Sequence, residues 1–428
     1  MAHNTDNNLR NQVIYSIYVR NHTPEGTFAA VAEDLDRIKE LGVDIIWLLP
    51  VHPIGIKGKK GTLGCPYANR DYRTVNPEYG TMDDFKALVD AIHQHGMKCI
   101  IDVVYNHTSP DSTLTKEHPE YFYHKPDGTM GNHVGEWTDV VDLDYNCREL
   151  WDYQIESLKM WAEIVDGFRC DVASFVPVEF WCKAREACAQ VHPGCIWLAE
   201  TVHSGFGLMA RQSGLYSAND YDMFRAFDME YDYDIREVFD RYLKGECSLS
   251  NYIDVINFQE CVYPTNYNKM RCLENHDQPR ICSFIKDRTS LENFTAFLYF
   301  LKGTTLIYGG QEFCCTEIPS LFEKDVFLRT KGNISSWLFK LNQIKKDILS
   351  CEDAFVGQAD DRHDIAILER NDMCIRKLGI FSLKGKNAEV KVNFPDGTYK
   401  NYLDGREIVI TDGILSCTGK PIVLTCKV

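Results

Sequence analysis

Three acidic residues, each at or shortly after the end of a short apolar segment, are the residues of this sequence best suited to chemistry. Asp171 ends the segment GFRCD, Glu200 ends WLAE, and Asp277 ends ENHD. Carboxyl groups that lie close together can divide the work of glycosidic cleavage, since one must protonate the leaving oxygen while another stabilises or captures the oxocarbenium-like carbon. These segments therefore predict glycoside hydrolysis, provided that the fold brings the three carboxyl groups to one mouth.

Metal-assisted hydrolysis is the competing chemistry. It would need histidine and carboxylate ligands at matched spacing. His107 and His276, however, follow different apolar segments, and the sequence contains no His-x-x-x-His pair. Hydrogen-bonding roles suit these two histidines better, and we predict no catalytic transition metal.

Short apolar runs alternate with helical patterns through most of the chain, and this alternation must position the carboxyl groups. In one unit, Thr81 can cap a helix whose apolar stripe starts at Phe85 and which Gly96 ends. Such alternation is typical of βα units and a parallel sheet. The predicted strands are residues 13–18, 45–49, 99–104, 167–171, 196–200, 223–229, 270–275 and 304–308. Eight repeats favour a closed (β/α)8 barrel with catalytic groups at the carboxyl ends of its strands, and an open doubly wound sheet is the alternative.

Two departures from the repeat divide the chain into domains. Residues 108–140 are polar, aromatic and rich in His, Pro and Gly, and they form an insertion after the third strand. After residue 350, alternating strands predicted at 365–368, 373–381, 387–394, 408–410 and 422–424 indicate an antiparallel β-sandwich. The predicted fold class is therefore α/β: a TIM barrel in two parts (1–107 and 141–350), the insertion (108–140) and a C-terminal sandwich (351–428).

Charge and hydropathy narrow the class of partner. The chain has 46 basic and 62 acidic residues and a formal net charge of −16, which disfavours nucleic acid and anionic membrane as partners. No apolar run approaches the ~20 residues that span a bilayer, and the start of the chain is polar without an apolar signal segment. We therefore expect a protein that is not exported; its oligomeric state is left open.

The cysteines support a reducing compartment. They number 17, are scattered, and include no Cys-x-x-Cys pair, so the pattern indicates neither a disulfide framework nor a zinc or redox motif. Most lie in apolar stretches, where a free cysteine behaves as a small hydrophobe. We interpret the adjacent pair Cys314 and Cys315 in the same way. Reduced thiols predict a cytoplasmic location.

The strand ends also resemble a known family. The segments DVVYNH (102–107), GFRCD (167–171), LAE (198–200) and ENHD (274–277) resemble the four signature regions of the α-amylase family of retaining glycoside hydrolases. Residues 42–53, 141–146 and 303–312 resemble further regions of that family. The resemblance covers residues 10–320 in order and spacing, and it implies that the insertion is the family's domain B.

The resemblance implies a role for each carboxyl group. Asp171 becomes the nucleophile that forms a β-glycosyl enzyme, and Glu200 becomes the general acid and then the base. Asp277 becomes the group that stabilises the transition state through the 2- and 3-hydroxyls of the sugar. Asp102, at the end of the third strand, is mainly structural in the family, and it could simply cap a loop.

Substrate-binding residues are implied by the same comparison. Arg169, two residues before Asp171 on the same strand face, would keep the nucleophile ionised. His107 and His276 match ligands of sugar hydroxyls, and Tyr67 resembles the tyrosine that stacks under the sugar, although loop packing is an alternative. Aromatic residues of the insertion could line a sugar groove or pack the insertion itself: Tyr121, Phe122, Tyr123 and Trp137.

Members of this family carry a calcium site, and the resemblance implies that its ligands here would be Asn106 and Asp142. After Asp171 the chain reads Val-Ala-Ser-Phe, whereas many secreted members carry Lys-His at the last two of these positions, where the histidine offers a calcium carbonyl. The insertion is also short for domain B. We therefore expect that no cofactor is required, and calcium binding stays open because oxygen ligands suit that ion.

The combined prediction is a cytoplasmic α-glucan hydrolase that cuts α-1,4 bonds in maltodextrins or starch-derived oligosaccharides with retention of configuration. An α-glucan transglycosylase or an α-glucosidase would share the covalent intermediate and is the nearest alternative. A non-catalytic carbohydrate-binding scaffold is a third, because fold does not dictate function; the intact carboxyl triad with Arg169 argues against it.

Overall fold

Short apolar strands alternate with helices through the first three quarters of the chain. The structure, a computed structural model, describes Ala2 and residues 4–428, so Met1 and His3 of the predicted first barrel part lie outside the described residues. The strands up to residue 308 are β1 (Val13–Ile17), β2 (Ile45–Leu48), β3 (Lys98–Val103), β4 (His107–Thr108), β5 (Val141–Asp142), β6 (Gly167–Cys170), β7 (Ile196–Ala199), β8 (Met229–Tyr231), β9 (Lys269–Arg271) and β10 (Thr304–Tyr308).

Eight of these strands close into a parallel barrel. Their order around the barrel is β1-β10-β9-β8-β7-β6-β3-β2, and the neighbouring pairs are parallel. In β1, β2, β6, β7 and β10 every residue is buried, because one face packs inside the barrel and the other packs against helices. The predicted (β/α)8 barrel is confirmed, and the open sheet is excluded.

Helices form the outer layer. The α-helices of the described residues are α1 (Val19–His22), α2 (Phe28–Ala32), α3 (Leu35–Glu40), α4 (Met82–Gln94), α5 (Leu114–Glu117), α6 (Arg148–Ala162), α7 (Val178–Val191), α8 (Ser204–Gln212), α9 (Asp220–Met223), α10 (Tyr233–Leu243), α11 (Leu249–Val262), α12 (Ile281–Phe284), α13 (Arg288–Phe300) and α14 (Ser335–Asp347). Among the residues that the structure describes, no helix is both long and apolar enough to cross a bilayer.

Helix α4 shows how local sequence sets the element. Thr81 and Asp84 form a reciprocal capping box, in which each side chain accepts from the other residue's backbone N–H. The predicted stripe that starts at Phe85 is buried. Gly96 follows the helix with φ of 65°, a left-handed conformation that glycine adopts without steric penalty. The predicted cap, stripe and stop are all confirmed.

The predicted sixth strand was placed wrongly. Residues 223–229 were expected to be extended, but α9 and a turn occupy most of that stretch, and β8 begins at Met229. Met223, Phe224 and Phe227 are buried all the same. A short apolar run has the same composition in a buried strand and in a buried helical turn, so periodicity alone does not distinguish them.

The insertion after β3 is bounded by a two-stranded antiparallel pair. His107 of β4 pairs with Asp142 of β5, and Thr108 pairs with Val141. Between them lie α5 and a 3₁₀ turn at Pro119–Tyr121. Tyr121 and Phe122 pack in the main apolar core, so these two aromatic residues pack the insertion and do not line a groove. The division at residues 108 and 140 stays a prediction.

Two antiparallel sheets follow the barrel. Their strands are β11 (Ala354–Asp360), β12 (Ile365–Asn371), β13 (Ile375–Ser382), β14 (Asn387–Lys391), β15 (Gly397–Lys400), β16 (Glu407–Thr411), β17 (Ile414–Thr418) and β18 (Ile422–Lys427). The sheets have the orders β11-β12-β13-β18 and β14-β17-β16-β15 and share one buried apolar cluster. The predicted antiparallel sandwich is confirmed; β11, β15 and β17 were not predicted.

Candidate active site

One cleft at the carboxyl ends of the barrel strands collects most of the predicted site residues. It has a volume of about 350 Å³, which lies in the range of small-molecule sites. Asp171 directly follows β6, Glu200 directly follows β7, and Asp277 lies in the loop after β9. The predicted residues that line it are Tyr67, His107, Asp171, Glu200, His276 and Asp277.

Arg169 lies beneath the cleft and links its acidic groups. Its Nη1 donates to Asp102 Oδ1 and to Asp171 Oδ1, both at 2.8 Å. Its Nη2 lies 2.8 Å from Glu200 Oε2. One guanidinium therefore holds three carboxyl groups together. Its faces are enclosed by aromatic rings whose centroids lie between 5.2 and 5.6 Å from Cζ: Trp47, Tyr67 and Tyr231.

Strand register explains why these groups meet. Arg169 on β6 pairs directly with Asp102 on β3, so the two side chains emerge side by side on one face of the sheet. Asp171 is two residues beyond Arg169, and alternate residues of a strand share a face. The placement of Arg169 beside Asp171 was therefore predictable from the sequence, whereas its contact with Asp102 needed the register.

Burial shifts the protonation of this cluster. It raises the pKa of Asp171 to about 7 and that of Glu200 to about 8, and Arg169 only partly opposes the rise. The pKa of Asp102 is raised to about 7 for the same reason. Arg169 lowers the pKa of Asp171, in the direction predicted, but one guanidinium faces three buried carboxyl groups, and desolvation favours their neutral forms. Glu200 nevertheless holds its proton to higher pH than Asp171 does.

The two oxygens of Glu200 differ in their surroundings. Oε2 lies near Arg169 Nη2 and accepts the backbone N–H of Val172 at 2.8 Å. Among the described residues, Oε1 has no hydrogen-bond partner, so a proton on Glu200 belongs on Oε1. Val172 has φ of 34°, which is a strained conformation for a β-branched residue, and this conformation directs its N–H toward Glu200.

Tyr67, His276 and Asp277 form a second group across the cleft. The Tyr67 hydroxyl donates to Asp102 Oδ2 at 3.0 Å and lies 2.7 Å from His276 Nε2, which lies 3.0 Å from Asp277 Oδ2. Burial lowers the pKa of His276 to about 4, so the ring is neutral at neutral pH. Because the Tyr67 hydroxyl already donates to Asp102, His276 Nε2 must be the donor toward Tyr67 or Asp277, so the proton of the neutral ring lies on Nε2. The Asp277 side chain is 40% exposed and is available to a sugar.

His107 and Trp137 form another wall. His107 Nε2 lies 3.9 Å from Asp171 Oδ2, which is beyond a direct hydrogen bond. The Trp137 ring packs against the His107 ring at 5.1 Å, and Trp137 lines the cleft. Of the aromatic residues noted in the insertion, Trp137 therefore reaches the cleft, whereas Tyr123 stacks on His133 elsewhere.

Several further residues of the site were not identified from the sequence. Asn275 accepts the backbone N–H of Asp277 at 2.9 Å and donates to Tyr233 Oη at 2.8 Å, and so orients the loop that carries Asp277. Its position within the ENHD motif is the signal that could have identified it. Further lining residues lie in loops and in α8 and carry no such signal: Lys60, Asp139, His203, Phe206, Gln278, Leu321 and Phe322.

Asn106 and Asp142 line a different cavity from the catalytic carboxyl groups. Asp142 Oδ2 accepts the backbone N–H and the ring Nδ1 of His133, both at 2.7 Å, and Asp142 Oδ1 is buried without a partner among the described residues. The Asn106 amide nitrogen faces His107 Nδ1 at 3.1 Å. Calcium takes six to eight oxygen ligands; the N–H donors of His133 occupy one carboxyl oxygen of Asp142, the other is unpartnered, and calcium binding here stays a prediction.

Known proteins resemble the chain over nearly its whole length. The family model for the α-amylase catalytic domain matches residues 3–362, and that for the bacterial α-amylase C-terminal domain matches residues 357–424. An α-amylase from Lactobacillus plantarum is 42% identical, with a TM-score of 0.95, over 98% of this chain and 100% of that one. The maltogenic α-amylase AmyB of Thermotoga neapolitana is 32% identical, with a TM-score of 0.86, over 98% and 100% of the two chains.

A curated relative extends beyond the aligned part. The α-amylase MalA of Haloarcula japonica is 29% identical over 314 residues, which are 70% of this chain and 44% of that protein. The chain therefore spans less than half the length of this relative. The catalytic-domain model matches most of the sequence, and the structure has the closed barrel and the acidic cleft described above. The chain therefore belongs to the α-amylase family of glycoside hydrolases and related transferases.

Proposed function

We propose that the protein hydrolyses α-1,4-glucosidic bonds in maltodextrins and starch-derived oligosaccharides, with retention of configuration. The observation that carries the proposal is the contact of one buried guanidinium, Arg169, with both Asp171 and Glu200. It holds two carboxyl groups of different pKa at one cleft, as glycosidic cleavage requires.

Each step is assigned to an oxygen atom. Glu200 Oε1, which carries the proton, protonates the leaving glycosidic oxygen. Asp171 Oδ2, which accepts no hydrogen bond from Arg169, attacks the anomeric carbon and forms a β-glycosyl ester. Asp171 Oδ1 meanwhile keeps its hydrogen bond from Arg169 Nη1. Glu200, now ionised, takes a proton from water as that water attacks the same carbon. The sugar leaves with its original α-configuration, and Glu200 is protonated again.

The remaining groups position the sugar. Asp277 and His276 lie side by side at the cleft, and we assign them to neighbouring hydroxyls of the ring that is cleaved. Hydrogen bonds from these hydroxyls to a carboxylate strengthen as positive charge develops on the ring. Tyr67 stacks on His276 with its centroid 5.4 Å away and offers a ring face to the sugar, and His107 faces the same space.

The test is a time course of products from maltoheptaose, soluble starch and pullulan. Hydrolysis should release shorter maltodextrins as α-anomers, observed by NMR before mutarotation. Products longer than the substrate would instead identify a transglycosylase, and release of glucose alone would identify an α-glucosidase. Glu317→Gln is a control outside the cleft, since its side chain is 89% exposed; it should keep the wild-type products. No turnover of any glucan would refute the proposal.

We also propose a cytoplasmic location. All 17 cysteines carry free thiols, and a reducing compartment keeps them so. Fractionation of the native host, followed by immunoblotting, checks this: recovery in the extracellular fraction would contradict it.

A further inference from the structure

One rim of the cleft is built by loops that lie across the barrel from Glu200. In the order β1-β10-β9-β8-β7-β6-β3-β2, the strand that Glu200 follows, β7, is diametrically opposite β1. The loops after β2 and β10, the two neighbours of β1, therefore lie on the far side of the cleft. Lys60 from the first loop and Leu321 and Phe322 from the second line the cleft. Because Glu200 protonates the leaving oxygen, the opposite rim faces the glycone, the part of the glucan toward its non-reducing end.

Lys60 joins this rim to the insertion. Its Nζ lies 3.1 Å from Asp139 Oδ1 and donates to the Glu136 carbonyl oxygen at 3.1 Å. Lys60 and Asp139 both line the cleft, and the Asp139 side chain is only 5% exposed. Removing the partner of a buried carboxylate is costly, whereas exposed ion pairs contribute little. The contact of Lys60 with Asp139, called the Lys60 bridge below, therefore holds the loop after β2 against the insertion.

The loop after β2 is joined to the loop after β10 as well. The backbone N–H of Leu63 donates to the Phe322 carbonyl oxygen at 3.1 Å, and that of Thr62 donates to Glu323 Oε1 at 2.7 Å. Gly61 has φ of 63°, and a Cβ at this position would lie 2.6 Å from Phe322 Cβ. The two loops thus pack without room for a side chain, and the rim is continuous from the loop after β10 to the insertion.

Arg20 supports the rim from below. It is fully buried, and its Nη1 donates to the carbonyl oxygens of Gly64 and Leu321 at 3.1 and 3.2 Å. Its Nε and Nη2 donate to the two carboxyl oxygens of Glu78, both at 2.8 Å. The Tyr18 hydroxyl donates to the same Leu321 carbonyl oxygen at 3.2 Å. Bidentate charge-assisted bonds restrict geometry, so buried groups hold the rim in place.

We propose that this rim closes the glycone end of the cleft, so that the enzyme cleaves maltodextrins from their non-reducing ends and releases short products. This inference rests on the proposed function and names its substrate specificity. An interior segment of a long glucan would have to pass through the rim, and such a steric obstacle disfavours its binding. The Lys60 bridge determines this specificity, because it joins the loop after β2 to the insertion where a longer glycone would pass.

The Glu200 side of the cleft is suited to the leaving part of the chain. Trp137 and Phe206 line the cleft, with their ring centroids 6.2 Å apart. Phe206 lies in α8, which follows the β7 strand that Glu200 ends. Aromatic rings offer apolar faces on which sugar rings stack. The glycone is therefore limited by the rim, while the leaving part of the glucan extends over these rings.

The experiment compares two forms of p-nitrophenyl maltoheptaoside. One has a free non-reducing end, and the other carries a 4,6-ethylidene group there. The p-nitrophenyl label stays at the reducing end, so the wild type should first convert the free form to labelled products slightly shorter than the substrate. It should cleave the blocked form at least ~10-fold more slowly, because the blocking group meets the rim.

Variants of the Lys60 bridge test its role. Lys60→Ala should raise the rate on the blocked form, relative to the free form, by about tenfold, because it opens the rim. Asp139→Ala should change this ratio in the same direction. Lys57→Ala, which truncates an exposed lysine of the same loop, is the matched control and should keep the wild-type ratio.

Equal rates of the wild type on the two forms, or first labelled products from the middle of the chain, would overturn the proposal. A wild-type ratio in both Lys60→Ala and Asp139→Ala would overturn the role of the Lys60 bridge. The comparison of the two forms needs only the wild-type protein, so it does not depend on the folding of a variant. Absence of turnover of the free form would instead refute the proposed function, and this inference with it, so the two failures are distinguishable.

Discussion

Replacing Glu200 by glutamine should remove the alkaline limb of the pH profile of kcat/KM while leaving the nucleophile, Asp171, in place. In the wild type, the productive enzyme has Asp171 ionised and Glu200 protonated. Because their pKa values lie at about 7 and about 8, kcat/KM should follow a bell in pH. Both limbs describe the buried cluster as a unit, since the groups share Arg169 and titrate together.

The expected size of the effect follows from the single proton that is gained or lost on each limb. The wild-type kcat/KM for maltodextrin should therefore fall about tenfold per pH unit on either limb of the bell. In Glu200→Gln the maltodextrin rate should fall by about 10²–10⁴-fold, because the leaving oxygen receives no proton.

A substrate with a good leaving group separates the two steps. α-Glucosyl fluoride needs little protonation, so Glu200→Gln should still form the glycosyl enzyme from it, with only the acidic limb left in its pH profile. Azide should then rescue the second step, because an anionic nucleophile needs no general base. The product should be the α-glycosyl azide, since two inversions retain the configuration.

Glu317→Gln is the matched control for this change. Its side chain is 89% exposed, and this variant should keep the wild-type bell and rate. Normal hydrolysis of maltodextrin by Glu200→Gln, an alkaline limb that survives in that variant, or a β-glycosyl azide as the product would each refute the assignment of Glu200 as the acid and base.

Three other predictions follow from the same cluster and its surroundings. Asp171→Asn should lower kcat by at least ~10³ because it removes the covalent route; activity above about a tenth of the wild type would contradict this. Burial raises the pKa of Glu200 in the folded protein to about 8. Protonated Glu200 therefore contributes its full share to the free energy of unfolding below the pKa of the unfolded chain, and this share is lost as the pH rises through about 8. Glu200→Gln should therefore raise the melting temperature at alkaline pH more than at about pH 5, and an equal shift at both, measured by calorimetry, would contradict this. Chelation should shift the melting temperature little, because Asp142 already accepts two N–H bonds from His133; a drop above about 10 °C that calcium restores would show that the cavity binds the ion.

Local features of the sequence were sufficient to predict the barrel and the position of its acidic groups. Asp171 and Glu200 end runs of buried residues, and parallel strands present their carboxyl ends at one edge, so the meeting of these side chains follows from strand periodicity and topology. The helix α4 was predictable because its cap, stripe and stop lie within one short segment. The stretch at 223–229 was not, because burial makes an apolar helical turn and an apolar strand look alike.

The tertiary structure decided everything that depends on groups distant in the sequence. The pKa values of Asp171 and Glu200 come from burial and from the sharing of one guanidinium with Asp102, and neither can be seen in any single strand. Tyr67 meets Asp102 and His276 only because segments that belong to different strands converge at the same barrel edge. Desolvation and short-range hydrogen bonds depend on distance in space, so the chemistry of these groups was set by the packing that surrounds them.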